Sequence, residues 1–498
     1  MSPGNAVRPF IGADVVSIVL PYDSTLRGAG ALADFAALLR RERRELEVEL
    51  GASVRFVAAD PGDGPRFLIG PASCNPAVAR YARHHDVDEA GLWLDRDRHV
   101  LVANAPNLDG IREAINLLRT LSMGGAEEAV VADCRDRAEV ISRIETEVGW
   151  TYPAFALRGL DWAAICARHR DKVRDAHDPL SAMRRWLAEL QDCHTWATTS
   201  PPPVALPYAV WVTPAAATFV HVPPGTAAWE AGVRVGDALV GVDAAEWWAQ
   251  TGAPVHARPL MAGYRLLAGP VGATRVFTAR TPTGHLHAWT EAATLNPPFP
   301  SVSWRRLPSG TAYLRIAAWR DDMDAALDAA FDELTGTDRL IVDLRRNVGG
   351  NLVRALAFRD RFLRHRTVLG GIRFSAGDGG LAVPAPIVGE PSPQGRWPGV
   401  VRFLTDPLTY SASEDVLLGL QGLAHVQVIG EPSGGGSGRP RTLRLLAGQM
   451  LRVSTALTYD RQGRCIEGVG IPVDRPIIPD RFSPDAPDAV LLVADQAW

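Results

Sequence analysis

The sequence predicts a multidomain α/β protein, and three observations carry that prediction. The chain has 498 residues, 47% hydrophobic and 22% charged, which is ordinary globular material and enough for roughly three or four domains. Strand-like apolar runs alternate with amphipathic helical runs at both ends of the chain, the pattern of sheets covered by helices. A Pro-rich break, PPPVALP from Pro201 to Pro207, separates a helical stretch from a run of short strands.

Residues 1–140 read as an N-terminal α/β domain: DVVSIVLPY, an amphipathic run Ala31 to Leu50, SVRFVAAD, RFLIG, the hairpin-like GLWLDRDRHVLVANA and a helical LDGIREAINLLRTL. That order resembles the small accessory domain preceding the barrel in some glycoside hydrolases, a resemblance of fold only. Residues 141–203 read as helical, with WAAICARHRDKV and LSAMRRWLAELQD carrying apolar residues at three-to-four spacing and ending at DCHTW. Residues 204–298 return to strands, YAVWV, TFVHV, ALVGV and RVFTART. Between them, PPGTAAWEAGVRVGDALVGVD resembles the PDZ pattern of small residues, AG, a short spacer, GD and an apolar strand. PDZ domains bind peptide C-termini by adding a strand to a sheet edge. Residues 299–498 alternate strand and helix again, TAYLRIAAW, DDMDAALDAAFDEL, DRLIVDLRRN and LVRALAFRDRFL, which argues a mostly parallel, buried sheet.

Composition narrows the function. A formal charge of −4 and a pI near 6.3 give no bulk attraction to nucleic acid or anionic membrane. No stretch approaches the roughly 18 apolar residues of a membrane span, and the N-terminus lacks the pattern of an export signal. Five scattered cysteines without a CxxC pair indicate neither a disulfide framework nor a zinc site. The expectation is a cytoplasmic protein without metal or organic cofactor. His84-His85 and HLH at His285 to His287 lack accompanying ligands at metal spacing and are expected on the surface.

Two stretches could carry chemistry. IVDLRRNVGGN, Ile341 to Asn351, is a buried strand running into a Gly-Gly turn before a helix. The turn is either a tight connection or a source of N–H groups for an oxyanion. VVRFLTDPLTYSASEDVLLGL, Val400 to Leu420, repeats the geometry, with a helix starting near Ser411. Ser411-x-x-Glu414 is a capping-box pattern, yet a serine where a strand turns into a helix is also placed to be a nucleophile. Both strand ends face one edge of a parallel sheet, where ligand sites form.

The ordered set DCHTW, the PDZ-like string, DLRRNVGG, YSASED, VIGEPSGGG and EGVGIPVD resembles the C-terminal-processing (tail-specific) serine peptidases and their relatives, the tricorn core protease and the interphotoreceptor retinoid-binding protein, over residues 141–480. The resemblance implies a crotonase-like α/β core with an inserted PDZ domain, a nucleophile at Ser411, and oxyanion donors at Ala412 and at Gly349 or Gly350. The best-known branch uses a lysine base, but GEPSGGGSGRP, Gly430 to Pro440, contains none and Arg439 holds its proton. Lys172, the only lysine in the chain, lies in the helical segment. The tricorn-like branch instead places a histidine base at His194 and a supporting carboxylate at Glu467. Where that branch has a serine before the histidine, this chain has Cys193, a weak donor; Asp192 is a second candidate carboxylate.

The expected function is a serine peptidase using Ser-His-(Glu) chemistry on a peptide, with its free C-terminus received by the PDZ-like domain. A homo-oligomer is compatible with the sequence. A dedicated biosynthetic hydrolase or acyl transferase, or a non-catalytic binding scaffold, are the competing expectations.

Overall fold

The structure, a computed structural model, describes six strands before residue 131 and then residues 134–496 apart from 295–298, 378, 382–383 and 437. The expected helices at 31–50 and 108–121 and the pair His84-His85 lie outside the described residues. The chain separates into two compact units: Met1–Ala164 with Ile372–Ala385 and Arg439–Ala456, and Ile165–Gly371 with Pro386–Gly438 and Leu457–Trp498.

In the first unit, Val15–Val19 lies between Ser53–Val57 and Arg66–Ile69 in one six-stranded sheet, parallel to both. The expected hairpin is present as Gly91–Asp95 antiparallel to Val100–Asn104. The helix Arg137–Thr151 starts on Asp136, whose carboxylate accepts the Glu139 N–H at 2.9 Å. It buries Val140, Ile144 and Val148, one stripe at four-residue spacing.

The second unit holds the helices Pro179–Ala188 and Trp162–Asp175, the latter beginning just before the unit does, and, among its sheets, a smaller and a larger one that matter for the site. The smaller sheet is antiparallel, ordered Leu286–Ala292, Thr274–Arg280, Ala238–Val240, Ala217–His221, Ala209–Val212, around Val210, Phe219, Val233, Phe277 and Trp289. Its last strand is not open. Phe219 directs both its N–H and its C=O toward the Asp237 side, at 2.8 and 2.9 Å. Its cross-strand partner Val210 therefore turns its own polar groups to the outer edge. There the helix Arg258–Leu267 covers them so closely that a Cβ on Gly263 would stand 1.8 Å from the Val210 carbonyl oxygen. Gly263→Ala is expected to destabilise the protein by about 1–3 kcal/mol through overpacking, read as a lower midpoint of thermal unfolding.

The larger sheet runs Val302–Arg306, Ala312–Ile316, Arg339–Asp343, Val400–Thr405, Val426–Gly430, Arg475–Pro476, with all pairs after the first parallel. The two central strands are buried beyond their first residue, as helices on both faces require. One face packs Ile341, Leu404 and Ile429 on Val490 and Ala494 of the helix Ala489–Gln496. On the opposite face, to which Phe403 points as the neighbour of Leu404 in its strand, Phe331, Phe358, Phe362 and Phe403 pack together, mostly edge to face. The strand ends after Ile316, Asp343, Thr405 and Gly430 thus lead to one edge of the sheet, the edge at which the Gly-Gly turn and Ser411 sit.

Candidate active site

Ser411 is where the Val400–Thr405 strand, after a short loop, turns into the helix Ala412–Leu417. Its backbone has φ 56° and ψ −123°, a conformation sparsely populated by residues with a Cβ and held only where surroundings over-determine it. The Ser411 N–H is fixed from two sides, by Glu414 Oε2 at 3.0 Å and the Gly436 carbonyl at 3.2 Å. Its hydroxyl meets His194: Oγ and Nε2 are 3.0 Å apart across 217 positions of sequence.

His194 is 6% exposed and lies against the Tyr410 ring, centroids 4.7 Å apart. Asp192, fully buried, accepts the His194 backbone N–H at 2.8 Å and the Thr195 hydroxyl at 2.6 Å. Its carboxylate therefore fixes the turn that presents the histidine. Burial pushes the Cys193 thiol up to about 12, so Cys193 stays a neutral thiol. Glu467 is 7% exposed, and its charge helps raise both Cys193 and Tyr410. The turn that carries it is tied to the Gly-rich loop after the Val426–Gly430 strand, the loop whose Gly436 carbonyl holds Ser411 N–H, by Gly468 N–H donating to the Gly435 carbonyl at 2.9 Å.

The Gly-Gly turn lies beside the serine. A Cβ on Gly349, φ 106°, would stand 2.8 Å from Ser411 Cβ and 3.2 Å from Ala412 N. The Gly349 N–H is committed to Asn347 Oδ1 at 3.0 Å. The Gly349 carbonyl accepts from Trp319 N at 3.1 Å, on the Ala312–Ile316 side of the central strand. Because N–H and C=O of one peptide point in opposite directions, the Gly350 N–H points to the Ser411 side. Among the described residues, neither Gly350 N nor Ala412 N donates to a protein acceptor. Of the two expected glycines, the geometry thus leaves Gly350 with the available donor.

The remaining sequence expectations are placed elsewhere. Lys172 is exposed on its helix. His285 and His287 contact each other ring to ring, and no group of three metal-ligating side chains exists among the described residues. No described helix is long and apolar enough to cross a membrane.

Residues 310–477 match the model of peptidase family S41. They form an S41 domain. A 183-residue stretch is 29% identical to the carboxy-terminal-processing protease of Bartonella bacilliformis, covering 34% of this chain and 39% of that protein, so the match spans about two fifths of the length of that relative. Mature CPAF shares the fold at 15% identity, with a TM-score of 0.51 over 69% of this chain and 92% of its own. The photosystem II D1 C-terminal processing protease aligns over the same shares at 18% identity and a TM-score of 0.48.

His194 lies outside the matched S41 segment, which makes its arrival at Ser411 a property of the tertiary fold. Inside the S41 domain, several groups with no evident sequence signal complete the site. Asn347 is fully buried; its Nδ2 donates to the Ile316 carbonyl at 3.1 Å, and its own carbonyl accepts from Tyr410 N and Ser413 Oγ. Ser413 also accepts from Trp319 Nε1 at 2.9 Å, so it braces the Gly-Gly turn against the helix rather than capping that helix. Tyr410 explains the Gly-rich run: a Cβ on Gly436 would stand 1.9 Å from its hydroxyl and one on Gly434 2.6 Å from its ring. Glu414 does more than the capping box implies. Fully buried, it accepts from Ser411 N, Gly436 N, Gly435 N and Ser433 Oγ. The capping-box pattern marked one of those four contacts; the other three come from a loop about twenty residues on.

The unbonded Gly350 N–H can be tested directly. A Cβ on Gly350, φ 131°, would lie 2.2 Å from the Trp319 carbonyl oxygen. Gly350→Ala should therefore turn this peptide and lower kcat roughly 10²–10³-fold, the scale of losing one oxyanion donor. Steady-state kinetics with thermal unfolding as a control checks it.

Proposed function

We propose that the protein hydrolyses peptide bonds through an acyl-enzyme formed on Ser411. The carrying observation is the 3.0 Å contact between His194 Nε2 and the hydroxyl of a serine in a strained strand-to-helix turn. His194 takes the Ser411 proton as Oγ attacks the amide carbonyl carbon. The oxyanion receives the N–H groups of Ala412 and Gly350. The imidazolium then protonates the leaving amine, and water releases the acyl group by the same steps. Glu467 stabilises the histidine cation through its charge, in the role a triad carboxylate plays, and Asp192 positions the histidine through its main chain.

The S41 match and the likeness in fold to mature CPAF support a crotonase-like core for 299–498 and a PDZ-like insertion for 204–298. A peptide with a free C-terminus is the substrate this arrangement suits. Because the helix Arg258–Leu267 covers the outer strand edge at Val210, binding by strand addition requires that helix to withdraw.

Labelling with a fluorophosphonate serine probe, followed by peptide turnover, tests the proposal. The native chain should label and Ser411→Ala should not. A native chain that never labels, or labelling that survives Ser411→Ala, overturns it.

A further inference from the structure

A cavity of about 280 Å³ opens between the small antiparallel sheet and the ends of the Arg339–Asp343 and Val400–Thr405 strands. It is walled by His221, Arg345, Arg346, Asp406, Glu431 and Arg481, with the 479–488 segment on one side. None of the steps assigned to Ser411 and His194 uses these groups.

The cations there differ in one respect. Arg345 is tied to Asp343 and Asp488, and Arg481 to Glu431; Arg315, outside the lining, is tied to Asp343. The guanidinium of Arg346 makes no hydrogen bond or ion pair among the described residues. Its backbone N–H is held by Asp406 Oδ1 at 2.9 Å, and the same oxygen takes Leu408 N–H at 3.0 Å. Asp406 thus fixes the main chain of Arg346, and Asp480, the remaining acid on the cavity wall, is exposed. Arg346 has φ 62°, the left-handed conformation that a residue with a Cβ adopts at a cost and that concentrates at ligand clamps. His221, at the end of the Ala217–His221 strand, is held well below its ordinary range by burial and then by Arg346, Arg315 and Arg345. The wall mixes charges, Arg345, Arg346 and Arg481 with Asp406, Glu431, Asp480 and Asp488, and Asp406 and Asp343 attract the half-buried Arg346 guanidinium without forming an ion pair with it, so a ligand would meet one guanidinium without a salt bridge and the neutral His221 ring.

We propose that this cavity is a carboxylate-binding site, in which the Arg346 guanidinium pairs with both oxygens of a small acid or of a peptide's chain terminus and the His221 ring supplies a further donor. A planar fork matches a carboxylate in this way, and the volume falls below that of pockets for drug-sized ligands, which fits a small acid or a chain end. The site is independent of the serine reading, because it is read by binding and not by turnover.

The full chain carrying Ser411→Ala, so that no peptide is consumed, is titrated calorimetrically with acetate, and with tetra-alanine bearing either a free or an amidated C-terminus. Arg346→Gln should weaken acetate binding about tenfold or more, with an unchanged unfolding midpoint. Free tetra-alanine binding well above acetate, with its amide silent, identifies a chain terminus as the ligand. Acetate binding as well as the free peptide identifies a small acid. Should Arg346→Gln fail to fold, Arg346→Lys and His221→Asn replace it, and weaker acetate binding in both supports the site. Acetate binding unaffected by these variants, or no carboxylate binding to the Ser411→Ala chain, overturns the proposal.

Discussion

His194→Ala is expected to lower the rate of Ser411 acylation roughly 10³–10⁴-fold, the upper range for removing a positioned general base. The expectation follows from the geometry alone. A serine hydroxyl is a weak nucleophile until its proton has a destination, and His194 Nε2, 3.0 Å from Oγ, supplies one. The chain's single lysine is exposed on a helix far along the sequence, so no amine stands in. Single-turnover labelling by a fluorophosphonate, followed in time for native and variant protein, measures this step without product release. Equal rates would remove His194 from the reaction even if Ser411 labels. The companion Asp192→Ala should act more weakly, since that carboxylate holds the His194 main chain and its loss displaces the ring instead of deleting it.

How much of this was legible in the sequence depends on whether a local pattern dictates the contact. The parallel core was readable because alternating apolar strands and helices, such as Arg339–Asp343 followed by Leu352–Asp360, have few other ways to bury their faces. Ser411 and the Gly-Gly turn were readable as two strand ends of one sheet. The partner of Ser411 was not readable from spacing, because 217 residues separate it from His194; it came from a family likeness. The choice between Gly349 and Gly350 depended on where one peptide's carbonyl points. Glu414 was read as half of a capping box, since a sequence shows its reach to Ser411 but not Ser433, Gly435 and Gly436 folding back onto it.

Glu414→Gln should both slow the enzyme and change how stability depends on pH. In the native chain the two carboxylate oxygens face four donors. Glutamine keeps the shape but turns an N–H₂ toward some of them, leaving buried donors unmatched at a cost of about 3 kcal/mol. The strained Ser411 turn and the Gly434–Gly436 loop rest on those contacts, so kcat should fall by about 10²-fold or more as Oγ loses its alignment. The pH effect has a definite sign. Burial pushes the Glu414 carboxyl from 4.5 up to about 7, with the hydrogen bonds of Ser433, Gly436, Gly435 and Ser411 opposing it. Between those values the folded chain holds a proton that the unfolded chain has released. The group's contribution to stability therefore falls as pH rises from about 4.5 to 7 and is level above that. The four-donor arrangement, by contrast, favours the ionised carboxylate, so site geometry improves over the window in which this contribution declines. Activity alone does not isolate the group, because losing the alignment of Oγ lowers the rate at every pH. The stability difference does: unfolding free energy measured from pH 5 to pH 8 should lose this downward slope in Glu414→Gln. A slope identical to that of the native protein would mean that Glu414 is already ionised at pH 5 and that its four hydrogen bonds outweigh its burial.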